Sequence, residues 1–556
     1  MSTSKAPSEK SGKILIDGHH LRVADVTAAA RGACRPAVAL APGTTALIAR
    51  SNELKDALVE AGVPIYGVTS GFGDSCSRQI SGKKSGELQK NLIRFLSCGT
   101  GRYAEPDVVR ATLLIRANCL ARGHSGVRPE LVELLIDCLN RDVLPLIPEL
   151  GSVGASGDLV PLSYVAAVLT GEGTVLHRGE RKPAAVALAD CGLSAIELRA
   201  KEGLALVNGT SFMSAFAVLA LEGADQVAFA ADLCTALASQ VLCGNPGHFA
   251  AFVYDQKPHD GAVESARTIR QLLNAGPSPG PDLGAHGAPH PPPGYRELEH
   301  PIQDRYSIRC APHVTGVLRD TISWAVKWLT IEINSSNDNP LFDVARGVSH
   351  NGGNFYGAHV GQAMDALKVA LASVGDLLDR QLELAVDEKF NNGLTPNLIP
   401  RFEADSWDAG LHHGFKGMQL TASALAAEAL KCTTPATSFS RSTEAHNQDK
   451  VSMGTIAARD ARWVVELACQ IAAIHLIALC QAADLRGIGR LSRPTIAAYE
   501  VVREVCGFLS ADRPMEREIQ GVTNLIRSGE LRRAVAEIPF SAAFGAMAEH
   551  GQPAGR

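Results

Sequence analysis

The stretch Gly151-Ser152-Val153-Gly154-Ala155-Ser156-Gly157-Asp158-Leu159-Val160-Pro161-Leu162 decides how this chain is understood. At its centre, the tripeptide Ala155-Ser156-Gly157 has the composition to build an electrophile from its own backbone. The Gly157 amide nitrogen attacks the Ala155 carbonyl carbon and closes a five-membered ring. Backbone folded that tightly needs a residue without a side chain at the third position. Ser156 then loses water, leaving an exocyclic methylidene that accepts nucleophiles. The same residues could also form a Gly/Ser turn capping a helix, with Ser156 or Asp158 accepting the first free N–H groups. A matching site elsewhere in the chain separates the two.

Around this loop the composition is that of a globular protein, with 46% hydrophobic and 20% charged residues among 556. Aromatic residues are only 5%, so the core must rely on Ala, Leu, Val and Ile. The net charge of −5 and the lack of a Lys/Arg run argue against nucleic acid as a partner. The 13 cysteines are odd in number, lack a C-x-x-C pair and sit in apolar stretches, as at Cys469 and Cys480. That pattern predicts reduced thiols and a cytoplasmic protein. Residues 1–12 are polar, predicted to be disordered, and have no apolar core of a signal peptide. The most apolar segment, Val464 to Leu485, is interrupted by Glu466, Gln470, His475, Gln481 and Asp484. It reads as a buried helix, and no membrane partner is expected.

The chain divides by pattern. Residues 13–210 mix strands, turns and helices and form the N-terminal domain that carries the tripeptide. Within them, Ile14-Leu15-Ile16-Asp17-Gly18-His19-His20-Leu21 predicts a hairpin around Asp17-Gly18. Residues 211–490 predict a central helical bundle. One apolar stripe runs through Val314, Val317, Leu318, Ile322, Ala325, Trp328 and Leu329, a second through Val360, Met364, Leu367, Leu371, Val374, Leu378 and Leu382. A third spans about Met453 to Leu485. Seven prolines between Gly276 and Gly294 predict an exposed connector. Residues 491–556 predict a C-terminal helical segment. The fold class is therefore mainly α, a long central helical bundle with a smaller mixed N-terminal domain, and its apolar surface suggests an oligomer.

Several further motifs carry chemistry. Tyr66-Gly67-Val68-Thr69-Ser70-Gly71-Phe72-Gly73 is too rich in glycine for an element interior and reads as a mobile loop. Glu202-Gly203-Leu204-Ala205-Leu206-Val207-Asn208-Gly209-Thr210-Ser211 precedes a helix. In Gln303-Asp304-Arg305-Tyr306-Ser307-Ile308-Arg309-Cys310, Tyr306 and Arg309 would share a helix face, and a guanidinium can grip a carboxylate bidentately. Glu332-Ile333-Asn334-Ser335-Ser336-Asn337-Asp338-Asn339-Pro340 ends a helix at an amide-rich turn. Asn351-Gly352-Gly353-Asn354-Phe355 and Gly414-Phe415-Lys416-Gly417 follow. In Ser442-Thr443-Glu444-Ala445-His446-Asn447-Gln448-Asp449, Glu444 and Gln448 fall at i and i+4, the spacing of one helix face.

Together with the tripeptide, these motifs resemble the aromatic amino acid ammonia-lyase and aminomutase family over nearly the whole chain from about residue 13. The resemblance implies a methylidene-imidazolone group (MIO) formed from Ala155, Ser156 and Gly157, with no metal or external cofactor. It implies Tyr66 as the base for the substrate's β-proton and Tyr306 as a second catalytic tyrosine. Because a tyrosine titrates near 10, such a base needs its phenolate stabilised by its surroundings. Asn208 would hydrogen-bond the MIO ring, Arg309 and Asn334 would meet the substrate carboxylate, and Glu444 and Gln448 its amine. Phe355 would pack near the MIO, and Leu204, Gln303 and Lys416 would complete the substrate contacts. The family's sites draw on three subunits, which implies a homotetramer. The lack of a long C-terminal insertion resembles bacterial members.

The substrate's ring would meet Phe95-Leu96 in Asn91-Leu92-Ile93-Arg94-Phe95-Leu96-Ser97-Cys98-Gly99, a pair that resembles phenylalanine-specific members. Two apolar side chains leave a hydroxyl or an imidazole without partners. Histidine-type members carry a glutamate where this chain has Gln448, although Val451-Ser452-Met453-Gly454 resembles the histidine branch. The expected activity is conversion of L-phenylalanine to trans-cinnamate and ammonia. Alternatives are an aminomutase forming a β-amino acid, a tyrosine or histidine ammonia-lyase, and a helical scaffold without chemistry.

Overall fold

The computed structural model describes residues 12–32, 34–273, 293–295, 297 and 302–535. The predicted Pro-rich connector lies outside these residues except for Pro293 and Gly294, as do residues 1–11 and 536–556 of the two predicted terminal segments. The fold is mainly helical. The described residues fall into two compact units, neither continuous in sequence: one lies within residues 1–220, 325–365 and 435–460, the other within residues 221–324, 366–434 and 461–556.

The first unit begins with strand β1 (Ile14–Ile16), helix α1 (Val23–Ala30) and strand β2 (Val38–Leu40). The predicted hairpin does not form. β1 pairs in parallel with β2, Ile14 opposite Val38 and Ile16 opposite Leu40. The Asp17 carboxylate accepts the His19 and His20 amides, and Gly18 N donates to Asn118, so the turn is spent on local capping and on a distant helix. Parallel strands need a crossover, and α1 supplies it.

Next come α2 (Thr44–Glu60), α3 (Ser85–Leu96), β3 (Thr100–Tyr103), α4 (Pro106–Ala121) and α5 (Pro129–Asn140). Proline opens both α4 and α5, where its missing N–H has no helical partner to lose. Every α4 residue from Ala111 to Ala121 is buried, including Arg116 and Asn118, so this helix forms the centre of the unit. Strands β4 (Leu144–Pro145) and β5 (Pro148–Leu150) lead into the tripeptide loop, and β3 pairs antiparallel with β5. The loop ends at α6 (Leu159–Leu169). Strands β6 (Thr174–His177) and β7 (Glu180–Pro183), helix α7 (Ala184–Asp190) and the short α8 (Glu202–Val207) follow, before α9 (Ser211–Val241).

The predicted long helices are present as Ala311–Ile333, Ala358–Val386 and Gly454–Arg486. All seven residues of the second stripe, from Val360 to Leu382, are buried. In the first stripe Leu318, Ile322, Ala325 and Leu329 are buried, whereas Val317 turns outward, a helical step of about 100° away from Leu318. By length and composition, α9 and Gly454–Arg486 could each cross a membrane; their apolar windows are 89% and 83% buried inside the protein.

Candidate active site

The tripeptide lies where α6, α8 and α9 begin or end. Gly157 has φ +71°, and a methyl group on its α-carbon would sit 2.1 Å from the Gly209 carbonyl oxygen. Only glycine fits there. The Ser156 carbonyl accepts a hydrogen bond from Asn208 Nδ2 at 2.8 Å, and Ser156 Oγ accepts one from Gln448 Nε2 at 3.1 Å. One residue on, the Asp158 amide donates to the Gly209 carbonyl at 2.7 Å. The Asp158 side chain, fully buried, accepts from the Met213 amide at the start of α9, from Thr455 and from Ser152. Burial pushes its carboxyl up to about 6 against these donors. Ala155, Ser156 and Gly157 all face a cavity of about 750 Å³. A tight glycine, a carbonyl already held by an amide donor and an opening onto a cavity suit the MIO group.

The opposite side of this loop is gripped by Val451-Ser452-Met453-Gly454. Ser452 Oγ donates to the Gly154 carbonyl at 3.0 Å, and the Met453 amide donates to the Val153 carbonyl at 3.0 Å. These residues support the loop and do not line the cavity. Ser452, Asp158 and Thr455 are thus site residues that motif matching undervalued.

Tyr66 lies on a loop tied at several points. Its hydroxyl oxygen accepts the Gly73 amide at 2.9 Å, and the Glu444 carboxylate accepts the Asp74 amide at 3.0 Å. Gln89, buried on α3, donates to the Gly67 carbonyl and accepts the Leu204 amide, linking the loop to α8. Its sequence carried no motif that marked it. Burial raises the Tyr66 hydroxyl above its ordinary value and the Glu444 charge adds to this, while the Gly73 N–H acts the other way.

Glu444 and Gln448 do not lie on a helix face. Glu444, Ala445 and His446 have φ of +51°, +50° and +64°, and Thr443 pairs with Gln448 as an isolated antiparallel bridge. The four residues between them form a tight turn, which brings both side chains to the cavity. Leu204, Asn208 and Phe355 also line it.

The cavity wall contributed by α3 and α6 is apolar: Leu88, Leu92, Phe95, Leu96, Leu159 and Val160. Leu96 is buried, and Phe95 at the end of α3 is 61% exposed. Asn334 lies elsewhere. Its Oδ1 accepts from the Leu21 amide and Asn118, and its Nδ2 donates to the carbonyls of Leu21 and Thr330. With its amide so occupied, Asn334 anchors the N-terminal segment and does not line this cavity.

Gln303, Tyr306, Arg309 and Lys416 belong to the second unit. Tyr306 and Arg309 share a face of one short helical turn as predicted, the guanidinium 4.6 Å from the ring centre. Tyr306, Gln303 and Lys416 are exposed, and Lys416 opens the helix Lys416–Lys431.

This arrangement is what an enzyme that makes its own electrophilic group would need. A family profile described as aromatic amino acid lyase matches residues 21–504. The chain is 40% identical over 522 residues to a histidine ammonia-lyase of Gloeobacter violaceus, covering 94% of this chain and 97% of that one. It is 39% identical over 538 residues to an MIO-dependent tyrosine 2,3-aminomutase of Streptomyces globisporus, covering 94% and 96%. The crystal structure of the tyrosine aminomutase from Streptomyces globisporus superposes with a TM-score of 0.87 at 36% identity, covering 94% of this chain and 98% of that one. The chain belongs to the aromatic amino acid lyase family, whose members are MIO-dependent carbon–nitrogen lyases and aminomutases acting on amino acids. The names of its relatives point to histidine and tyrosine as well as phenylalanine, so similarity alone does not select the phenylalanine enzymes.

Proposed function

We propose that this enzyme removes ammonia from L-phenylalanine to give trans-cinnamate. The observation that carries this is the apolar wall of Leu88, Leu92, Phe95, Leu96, Leu159 and Val160. A phenyl ring loses nothing against it, whereas a hydroxyl or imidazole placed there would forgo hydrogen bonds. The histidine-like Val451–Gly454 segment grips the tripeptide loop and lies outside that wall, so it does not speak for an imidazole ring.

The MIO group, when formed, supplies an electrophile that engages the substrate amine and makes it a leaving group. The protein's residues do the rest. Tyr66 takes the β-proton, its phenolate helped by the Gly73 N–H and opposed by burial and by the Glu444 charge. Asn208 holds the Ser156 carbonyl, while Gln448 and Glu444 receive the departing amine. Arg309 grips the carboxylate, with Tyr306, Gln303 and Lys416 beside it, in a homotetramer that completes the site. Incubation of the purified enzyme with phenylalanine, tyrosine and histidine, with product identification, tests the proposal. Cinnamate as the main product is expected; urocanate from histidine without cinnamate would overturn it.

A second reading, a phenylalanine aminomutase, is favoured by the ties on the Tyr66 loop through Glu444, Gly73 and Gln89. A loop held shut retains an intermediate long enough for ammonia to return to the β-carbon. β-Phenylalanine as the main early product would select it.

A further inference from the structure

Beneath the Asn208-Gly209-Thr210 turn lies a buried polar platform that none of these roles uses. Arg116, on α4, is fully buried, and its Nη2 donates to the Ala205 carbonyl at 2.6 Å. Ala205 stands in the last turn of α8, where carbonyls have no partner further along the helix, so Arg116 caps that end. Its Nη1 lies against the next turn of chain: a methyl group on the Gly209 α-carbon would sit 2.0 Å from it. Beside it, Thr210 donates to Glu332 and accepts from Asn337, and Lys201 pairs with Asp338 at 2.6 Å.

This turn presents two groups to the tripeptide loop, the Asn208 amide on the Ser156 carbonyl and the Gly209 carbonyl on the Asp158 amide. They belong to consecutive residues, and the second of them lies directly against Arg116. Burying a guanidinium costs stability unless every donor is matched, and Nε and Nη1 of Arg116 have no hydrogen-bond partner among the described residues. An apolar side chain of similar length would fill the space at lower cost. The reason for a cation here lies in what it holds in place.

We propose that Arg116 is a positioning residue for cyclisation of Ala155-Ser156-Gly157. By capping α8 and backing Gly209, it fixes the turn that keeps the tripeptide bent, with the Gly157 nitrogen held toward the Ala155 carbonyl carbon. In the reaction a bond forms between those two atoms. The Ala155 oxygen leaves as water with the amide protons of Ser156 and Gly157. Ser156 Oγ leaves as a second water with its own proton and the Ser156 α-proton. No oxidant or reductant is involved. Ring closure between neighbouring groups depends steeply on their orientation, so a displaced turn slows it. This inference rests on the family's self-made MIO and adds to the cavity residues one that prepares the group from behind.

The test follows the loss of two water masses by intact-mass spectrometry during timed cell-free synthesis of the whole chain. Arg116→Met and Arg116→Lys are compared with the wild type, each with its thermal midpoint. Arg116→Met is expected to fold yet cyclise at least about tenfold more slowly, a barrier increase equivalent to one lost orienting contact. Arg116→Lys, which keeps the charge on a flexible stem, should recover part of the rate. A folded Arg116→Met that loses both waters at the wild-type rate overturns the proposal. Should neither variant fold, Arg116 serves the fold itself and the proposal falls. A wild-type chain that keeps its full mass would instead defeat the cofactor assignment, whatever the variants do.

Discussion

Replacing Phe95 by histidine puts the substrate proposal at its most exposed point. Phe95 ends α3 and lines the cavity with Leu88, Leu92, Leu96, Leu159 and Val160. A tyrosine hydroxyl pressed against that wall leaves a polar group unmatched, which costs about 1–3 kcal/mol. Because Phe95 is 61% exposed, water reaches part of this region, and the lower end of the range applies. An apolar pocket rejects an added hydroxyl by about a hundredfold at best, so slow conversion of tyrosine to coumarate is expected in the wild type. The imidazole of Phe95→His offers the hydroxyl one net hydrogen bond, about 1.4 kcal/mol, or about a tenfold rise in the tyrosine-to-phenylalanine ratio of kcat/KM. The assay measures cinnamate and coumarate from both enzymes by absorbance, with intact mass and thermal midpoint recorded for each. If the variant folds, loses both waters and leaves the ratio unchanged, Phe95 does not set ring selectivity and the phenylalanine assignment loses its main support.

Gly157→Ala should keep the full chain mass, since its methyl would stand 2.1 Å from the Gly209 oxygen at a backbone φ of +71°; loss of two waters would refute the tight-turn account. Glu444→Ala removes the acceptor of the Asp74 amide, so faster amide exchange at Gly73–Ser77 is expected by mass spectrometry, and unchanged exchange would show that the loop is held without it. The Asp158 carboxyl, raised from 3.8 to about 6 by burial, binds its proton more tightly in the folded chain than in the unfolded one. Its contribution to stability is therefore full below the lower value and lost as pH rises through the upper one. Asp158→Asn, which cannot titrate, should shrink the difference in thermal midpoint between pH about 4 and pH about 7; an undiminished difference would assign that pH dependence to other groups.

What could be read along the chain is what neighbouring residues decide among themselves. Ring closure in Ala155-Ser156-Gly157 involves atoms of three consecutive residues, so the electrophile is written in the order of the sequence. The stripe from Val360 to Leu382 likewise needs only the helical period, and every member is buried. The tertiary structure decided the contacts that period and motif do not encode. β1 found its partner across α1 and not across Asp17-Gly18, because the turn residues bond elsewhere. Glu444 and Gln448 reach the cavity from a left-handed turn, and Asn334 spends its amide on Leu21, Asn118 and Thr330. The tripeptide itself is held by Gln448, 292 residues away from Ser156, and by Ser452, 298 residues away from Gly154. Hydrogen bonds over such separations are chosen by tertiary packing, which brings the motif residues Asn208 and Gln448 onto Ser156 and sets Arg116, which no motif marks, behind the turn that carries Asn208.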